Sequence, residues 1–372
     1  MGAEGVGLAI SGGGYRATLF HLGSLWRLNE LGWLPRIDEI CSVSGGSITA
    51  GALAVAWSRL DFDGRGVAVN FAGEVARPLG ALCSRTLDVP TILGGLLPFR
   101  TASDLLAASY DRHLFAGRTL QDLPEQGPLF TFYATSLQTG ASVRFSRPYL
   151  GEYHLGRVLR PDIPLARVVA ASSAFPPFYV PVTLDLPPDA WRDEPGADLH
   201  ASRALRSRLL LGDGGIYDNL GLERIWDRRA TLLVSDAGAP FATRERSLAL
   251  RFSLLARILR VLDITTEQTR ALRRRKVVAD FVAGRRRGAY WGIATEIGGY
   301  DLAARGRSPA LVADGELTRA QARLRTRLNR FSATEQGRLV NWGYALTDAA
   351  LRCYVLEQDA PPGRWPFPEQ AL

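Results

Sequence analysis

The chain has 372 residues, 47% of them hydrophobic, enough for one large domain or two smaller ones and too apolar for a disordered chain. Its formal net charge of +8 comes almost wholly from arginine, since Lys276 is the only lysine, and permits attraction to anionic surfaces without naming a partner. Three scattered cysteines (Cys41, Cys83, Cys353) argue against a disulfide framework, the four histidines lie far apart with no metal-ligand spacing, and no run of about 18 or more apolar residues offers a spanning helix.

The opening "MGAEGVGLAISGGG" has neither the basic stretch nor the long apolar region of a secretory leader, and Val6 stands where a myristoylation motif needs Ser or Thr. A cytoplasmic protein with no metal and no cofactor is expected. Val6 to Ile10 reads as a buried strand entering the glycine turn Ser11-Gly12-Gly13-Gly14. Residues 17–31 place Leu19, Leu22, Leu25, Trp26 and Leu28 at helical spacing, with Gly32 as the stop. A second strand, Ile37 to Val43, and a second helix, residues 46–59, complete a βαβ unit, so the sheet is expected to be parallel.

Residues 76–100 are apolar, broken by glycine and proline, and read as a mobile lid; the cap insertion as a whole is placed at 76–125. A strand at 129–137 followed by "ASVRFS" suggests a hairpin. Residues 165–182 read as a helix stopped at Pro176-Pro177, Leu209 to Gly212 as a strand entering Asp213-Gly214-Gly215, and 230–238 as another strand. From about 243 arginine-studded helices dominate to about 348, read as an extension packed on a catalytic region of residues 1–242, with 349–372 as an extended tail. Within the extension, Leu248, Phe252, Leu255, Leu259 and Leu262 share a helical face interrupted by Arg251, Arg257 and Arg260. Such a helix either covers a core or lies on an anionic membrane. The clusters at 273–276 and 285–287 read as a solvated basic face, and no motif accompanies them that would bind nucleic acid.

Three stretches carry candidate chemistry. The strand–turn–helix "CSVSGGS" (41–47) has the form of a nucleophile elbow, in which Ser44 sits on the sharp turn with its hydroxyl exposed at a helix N-terminus. Ser42 takes the usual first glycine position, Gly46 is the small residue that lets strand and helix touch, and Ser47 falls inside the helix. "SGGGYRA" (11–17) leaves backbone N–H groups of Gly12, Gly13 and Gly14 to face an anion, with Arg16 nearby. It can cradle a phosphate or serve as an oxyanion hole for Ser44. No histidine follows residue 200, which removes a Ser–Asp–His order with Asp213 as the acid. A carboxylate acting directly as base is left: Asp213 at a strand end before Gly214 and Gly215, with Asp218 and Asp236 as rivals. His21 and His113 read as structural.

"GGGYRA", "SVSGGS" and "DGGIYDN", with "YATSLQTGASVRF" and "AASSAFPPFYVPV", resemble the patatin-like phospholipase family in order and register over about residues 5–240. The glycine form is also similar to that of the cytosolic phospholipase A relatives. The resemblance implies a three-layer α/β/α fold with a mainly parallel central sheet, and a metal-free acyl hydrolase in which Ser44 is nucleophile, Asp213 is general base, and Gly12, Gly13, Gly14 and Arg16 form the oxyanion region. Ser11, Ala17 and Ser42 depart from the family pattern; all three are small. The expected substrate is a lipid ester, with peripheral contact to an anionic membrane. A catalytically inactive lipid-binding scaffold on the same fold, and nucleotide binding by the glycine loop, are the competing readings.

Overall fold

The computed structural model describes residues 4–177, 179, 181–241, 243, 248–360 and 363–372. Among them eleven strands form one mixed sheet: β1 (Val6–Ile10), β2 (Glu39–Val43), β3 (Leu129–Ser136), β4 (Ser142–Phe145), β5 (Tyr149–Glu152), β6 (Gly156–Leu159), β7 (Val182–Asp185), β8 (Trp191–Arg192), β9 (Arg208–Asp213), β10 (Thr231–Asp236) and β11 (Arg287–Gly292). The order across the sheet is β11-β10-β1-β2-β3-β4-β5-β6-β8. Pairings from β11 to β3 are parallel and those from β3 to β8 antiparallel. β9 pairs antiparallel with both β3 and β7.

Five helices matter for the site: α1 (Gly14–Glu30), α2 (Gly45–Ala56), α3 (Leu165–Ser172), α4 (Leu254–Val282) and α5 (Ala333–Tyr354). Successive strand residues point to opposite faces, so the parallel strands bury both. Leu8 and Ile10, Ile40, Phe130 and Phe132, and Leu233 face a large core shared with α1, α2 and α5. Ala9, Cys41, Val43, Tyr133, Leu232 and Val234 face a smaller core, which Leu220, Leu222, Ile225 and Val277 of α4 cover. Helix, sheet, helix is the three-layer arrangement that the resemblance implies, and the parallel run from β11 to β3 is what the βαβ reading expects.

The C-terminal third is not a purely helical extension. Gly288 lets β11 lie close against Leu232 of β10, and β11 becomes the parallel edge strand of the sheet. Helix α5 packs along α1, where Arg27 pairs with the buried Asp348, whose other oxygen is held by Arg352. The tail is tied as well: the Asn341 amide donates to the Phe367 and Gln370 carbonyls. Pro361 and Pro362 of the expected tail lie outside the described residues, as do Phe178 and Val180 in the stretch 165–182.

The lid stretch folds as two short helices, Arg77–Cys83 and Asp88–Gly94. Leu79, Leu82 and Cys83 of the first enter the core, while Leu93, Leu96, Leu97 and Phe99 stand exposed. The amphipathic face expected over 246–262 is also different. Ser253 breaks it by capping a new helix, its hydroxyl accepting from the Ala256 N–H. Leu259 and Leu262 are half-buried, whereas Phe252 and Leu255 of the expected face are exposed together with Leu254, Ile258 and Val261 outside it. Residues 246 and 247 and the Leu248 side chain lie outside what is described. No helix among the described residues is long and apolar enough to cross a membrane.

Candidate active site

The sheet itself brings Ser44 and Asp213 together. β2 ends at Val43, opposite Tyr133 of β3. On the same edge of β3, β9 arrives from the other direction and ends at Asp213, opposite Ala134. Two strands therefore meet end to end along one neighbour, one residue apart in register. The first residue past β2 is Ser44, so the two side chains converge at the junction.

Ser44 occupies a conformation that side chains rarely adopt, φ 51° and ψ −119°, as a nucleophile turn between strand and helix requires. The strain is held by hydrogen bonds. The Ser44 N–H donates to the Ser172 hydroxyl of α3 at 2.9 Å, and its carbonyl accepts from the Ser47 N–H at 2.8 Å, starting α2. The three serines of the elbow thus divide their work. Ser47 donates to Ser42 at 3.0 Å and bonds Ser172 at 2.8 Å, Ser42 donates to the Thr131 carbonyl, and only Ser44 lines the cavity. Gly46 sits against the Ile10 and Ser11 carbonyls, where the elbow crosses β1.

Asp213 is 3% exposed. One carboxylate oxygen accepts from the Gly215 N–H at 2.7 Å. Its backbone is fixed by the Asp213 N–H to the Ala174 carbonyl and by the Thr135 hydroxyl to the Asp213 carbonyl, while Gly214 lies against the Tyr133 carbonyl. Burial pushes the carboxyl from its ordinary 3.8 up to about 7, against the lowering pull of the Gly215 N–H and of the Ser44 hydroxyl beside it. A carboxylate in that position is a competent proton acceptor near neutrality. The rivals are occupied. Asp236 is bound by Arg270, the Tyr290 hydroxyl and the Gly238 N–H. Asp218 caps the N–H groups of Leu220, Leu222 and Glu223 and faces Arg273.

The glycine loop lies against the elbow. A Cβ on Gly45 would stand 2.1 Å from the Gly14 carbonyl oxygen, so the first helical residue after Ser44 has to be glycine. Gly13 (φ 146°) and Gly14 (φ 57°) adopt backbone angles that residues with side chains rarely take, and both line the cavity. Neither N–H donates to any of the described residues. Two expected members of the loop do other work. The Gly12 N–H donates to the Asn219 carbonyl at 3.1 Å, so it is no oxyanion donor, and Gly12 instead leaves room for Asn219 and Ser44. Arg16 is buried and donates to the Ala237 and Leu324 carbonyls, which makes it a brace beneath the loop. Burial and the charge of Arg270 lower its pKa to about 10.

His21 bonds the Ser235 hydroxyl and the Ser11 carbonyl from a fully buried position that lowers its pKa to about 4, and His113 bonds the Ser109 carbonyl one turn back in its helix. Among the described residues there is no group of three or more His, Cys, Asp or Glu that could hold a metal ion.

The cavity above Ser44 and Asp213 has a volume of about 620 Å³. Ile92, Phe175, Tyr179 and Leu328 give it an apolar arm, and Arg260, Asp263, Thr266 and Glu267 of α4 a polar wall. Sequence reasoning missed Ser172 and Asn219, although both stand in stretches singled out for their likeness to the family. It also missed the segment 324–328. There the Arg327 carbonyl accepts the Tyr15 N–H, the Leu328 carbonyl accepts the Leu87 N–H, and the Arg327 guanidinium pairs with Asp88 at the cavity wall. Nothing in "LRTRL" signals that role.

The family profile described as Patatin-like phospholipase matches residues 8–226. Solved structures that resemble the fold include human GIVD cytosolic phospholipase A2 in complex with methyl gamma-linolenyl fluorophosphonate, with a TM-score of 0.48 at 16% identity, covering 93% of this chain and 58% of that one. VipD from Legionella pneumophila gives 0.36 at 15% identity, covering 93% and 66%. The chain thus spans little more than half of the human protein's length. No curated protein sequence matches it.

Proposed function

The chain belongs to the patatin-like phospholipase family, and we propose that it is a serine acyl hydrolase that cleaves carboxylic esters of lipids through a Ser44–Asp213 dyad. The observation that carries this reading is the junction of β2 and β9 on β3, which sets a strained serine beside a buried carboxyl with pKa near 7.

A lipid ester enters with its acyl chain along Ile92, Phe175, Tyr179 and Leu328 and its carbonyl oxygen over the Gly13 and Gly14 N–H groups. Of the apolar stretch 76–100, only Asp88 and Ile92 reach the cavity, so the acyl wall is shared with residues near 175 and 328. Ser44 Oγ attacks the carbonyl carbon as its proton passes to Asp213, and the tetrahedral oxyanion forms against the two N–H groups and the N-terminus of α2. Collapse breaks the ester C–O bond, and the alcohol leaves with the proton from Asp213. Water then attacks the acyl-enzyme, giving its proton to Asp213. The second collapse returns that proton to Ser44 and frees the carboxylic acid.

Burial suits both halves of the cycle. A carboxylate with an ordinary pKa would hold the serine proton too weakly, whereas one near 7 is largely ionised above neutrality and still accepts it. The reading includes a cytoplasmic location, which the three unpaired cysteines support. The test is hydrolysis of a chromogenic acyl ester by wild type, Ser44→Ala and Asp213→Asn, with mass spectrometry of the fluorophosphonate adduct. Loss of turnover in both variants and an adduct on Ser44 are expected. Full activity in either variant removes the dyad, and lipid binding without any serine adduct leaves a non-catalytic scaffold.

A further inference from the structure

Helix α4 is amphipathic in the wrong sense for a helix that faces water. Arg260, Asp263, Glu267 and Arg270, spaced i, i+3, i+7 and i+10, line the cavity. On the opposite side Leu254, Ile258, Val261 and Leu272, spaced i, i+4, i+7 and i+18, are 65%, 56%, 62% and 60% exposed. A surface helix normally turns such a stripe inward and its charges outward. Here the polar face is committed to the cavity and a row of branched aliphatics is left outside, continued past the break at Ser253 by the exposed Phe252.

The other wall of the cavity repeats the pattern. Asp88 and Ile92 of the helix Asp88–Gly94 line it, and Val89, Leu93, Leu96, Leu97 and Phe99 beside them are exposed, Phe99 completely. Contiguous exposed apolar surface at the rim of a pocket marks a docking face. The charges say what docks there. The only acidic residues between 254 and 276 are Asp263 and Glu267, and both line the cavity, while Arg257, Arg275 and Lys276 are exposed away from it. Aliphatic side chains flanked by arginine and lysine, with the acidic groups turned away, suit a bilayer that carries anionic lipid.

We propose that the outer face of the first half of α4, together with the exposed tip at residues 93–99, is the surface by which this protein seats on an anionic lipid bilayer, with the catalytic cavity between the two. The inference deepens the hydrolase reading by naming the partner of that site. Docking lets an acyl chain pass from bilayer to cavity without crossing water, a crossing that every exposed CH₂ group makes less favourable.

The experiment is flotation with vesicles of phosphatidylcholine alone and of phosphatidylcholine mixed with phosphatidylglycerol. It compares wild type, Ser44→Ala and the double variant Ile258→Glu with Val261→Glu, each checked for fold by circular dichroism. Wild type and Ser44→Ala are expected to float with the anionic vesicles and less with the neutral ones. The double variant is expected to bind about tenfold or more weakly, because it removes two aliphatic contacts with the bilayer and adds two negative charges facing anionic lipid. Its turnover of a short, water-soluble ester is expected to stay within about twofold of wild type. The proposal is overturned if wild type does not float with anionic vesicles, or if the double variant floats equally well. It is also overturned if light scattering without lipid finds a dimer that the double variant dissolves, since the stripe would then be a contact between copies. Ser44→Ala separates the two readings: full turnover by that variant with the flotation pattern intact defeats the hydrolase and leaves the surface standing.

Discussion

Replacing Asp213 by Asn should abolish turnover and stabilise the protein, and the second effect is the more diagnostic. The Asn carbonyl can still accept the Gly215 N–H that Asp213 accepts at 2.7 Å, so the local hydrogen bonding survives. What disappears is a buried charge. The carboxyl pKa rises on folding from 3.8 to about 7, so between those values the native state holds a proton that the unfolded chain has lost. Stability therefore falls as pH rises through that window, and above about pH 7 the full penalty is present, roughly three pKa units or up to about 4 kcal/mol. Asp213→Asn recovers that amount at about pH 8 and almost nothing at about pH 4, where the aspartate is protonated in the folded state in any case. Urea unfolding of wild type and variant at the two pH values measures the difference, and ester turnover on the same samples measures the loss. A variant equally stable at both pH values, or one less stable than wild type at the higher pH, would refute the claim that Asp213 is an unpaired carboxylate held in a dry site.

In the wild type, kcat/KM should rise with pH through an apparent pKa of about 7 and fall about tenfold per unit on the acid side, because the ionised carboxylate is the active form; a limb near the ordinary aspartate value would mean that some other base is at work. Gly45→Ala should cut kcat by about 100-fold or more, since its Cβ would stand 2.1 Å from the Gly14 carbonyl oxygen and push the oxyanion loop away, and turnover close to wild type would show that the loops do not touch. Asp236→Asn should cost about 1–3 kcal/mol, since Arg270 loses one charged partner but keeps Glu267 and the Ala239 carbonyl, and should leave the acid limb of the activity where it was; a moved limb would make Asp236 the base.

Half of the site was legible because its signals are local. A buried strand, a glycine turn and a helix announce themselves within about a dozen residues, so β1, β2, α1, α2 and the positions of Ser44 and the glycine loop followed from spacing. The meeting of Ser44 with Asp213 was not local. It depends on β9 reversing direction to take up the edge of β3 that β2 vacates, and one sequence does not print a register. Arg16 and Gly12 were misread for a similar reason. Their places in the motif were right, but their hydrogen bonds go to Ala237, Leu324 and Asn219, which the fold alone brings near. Strand β11 was missed because "RGAYWG" begins in a run of arginines and has Gly288 as its second residue, whereas it pairs as an edge strand with Ala289 and Trp291 buried.

The end of the family-profile match, residue 226, does not coincide with a folding boundary. It falls before β10, which lies between β1 and β11 in the sheet. The chain beyond β10 closes the site. Asp236 at the end of that strand anchors Arg270 of α4, and the next residues, Ala237 and Gly238, hold Arg16 and line the cavity. Farther on, segment 324–328 ties the first turn of α1, at Tyr15 and Arg16, to the cap residue Leu87. The N-terminal two thirds thus supply Ser44, Asp213 and the glycine loop, while backbone carbonyls from the chain beyond β10 brace that loop at Tyr15 and Arg16. These contacts are made by the backbone carbonyls of Ala237, Leu324, Arg327 and Leu328, so they constrain the path of the chain there more than the identity of its side chains.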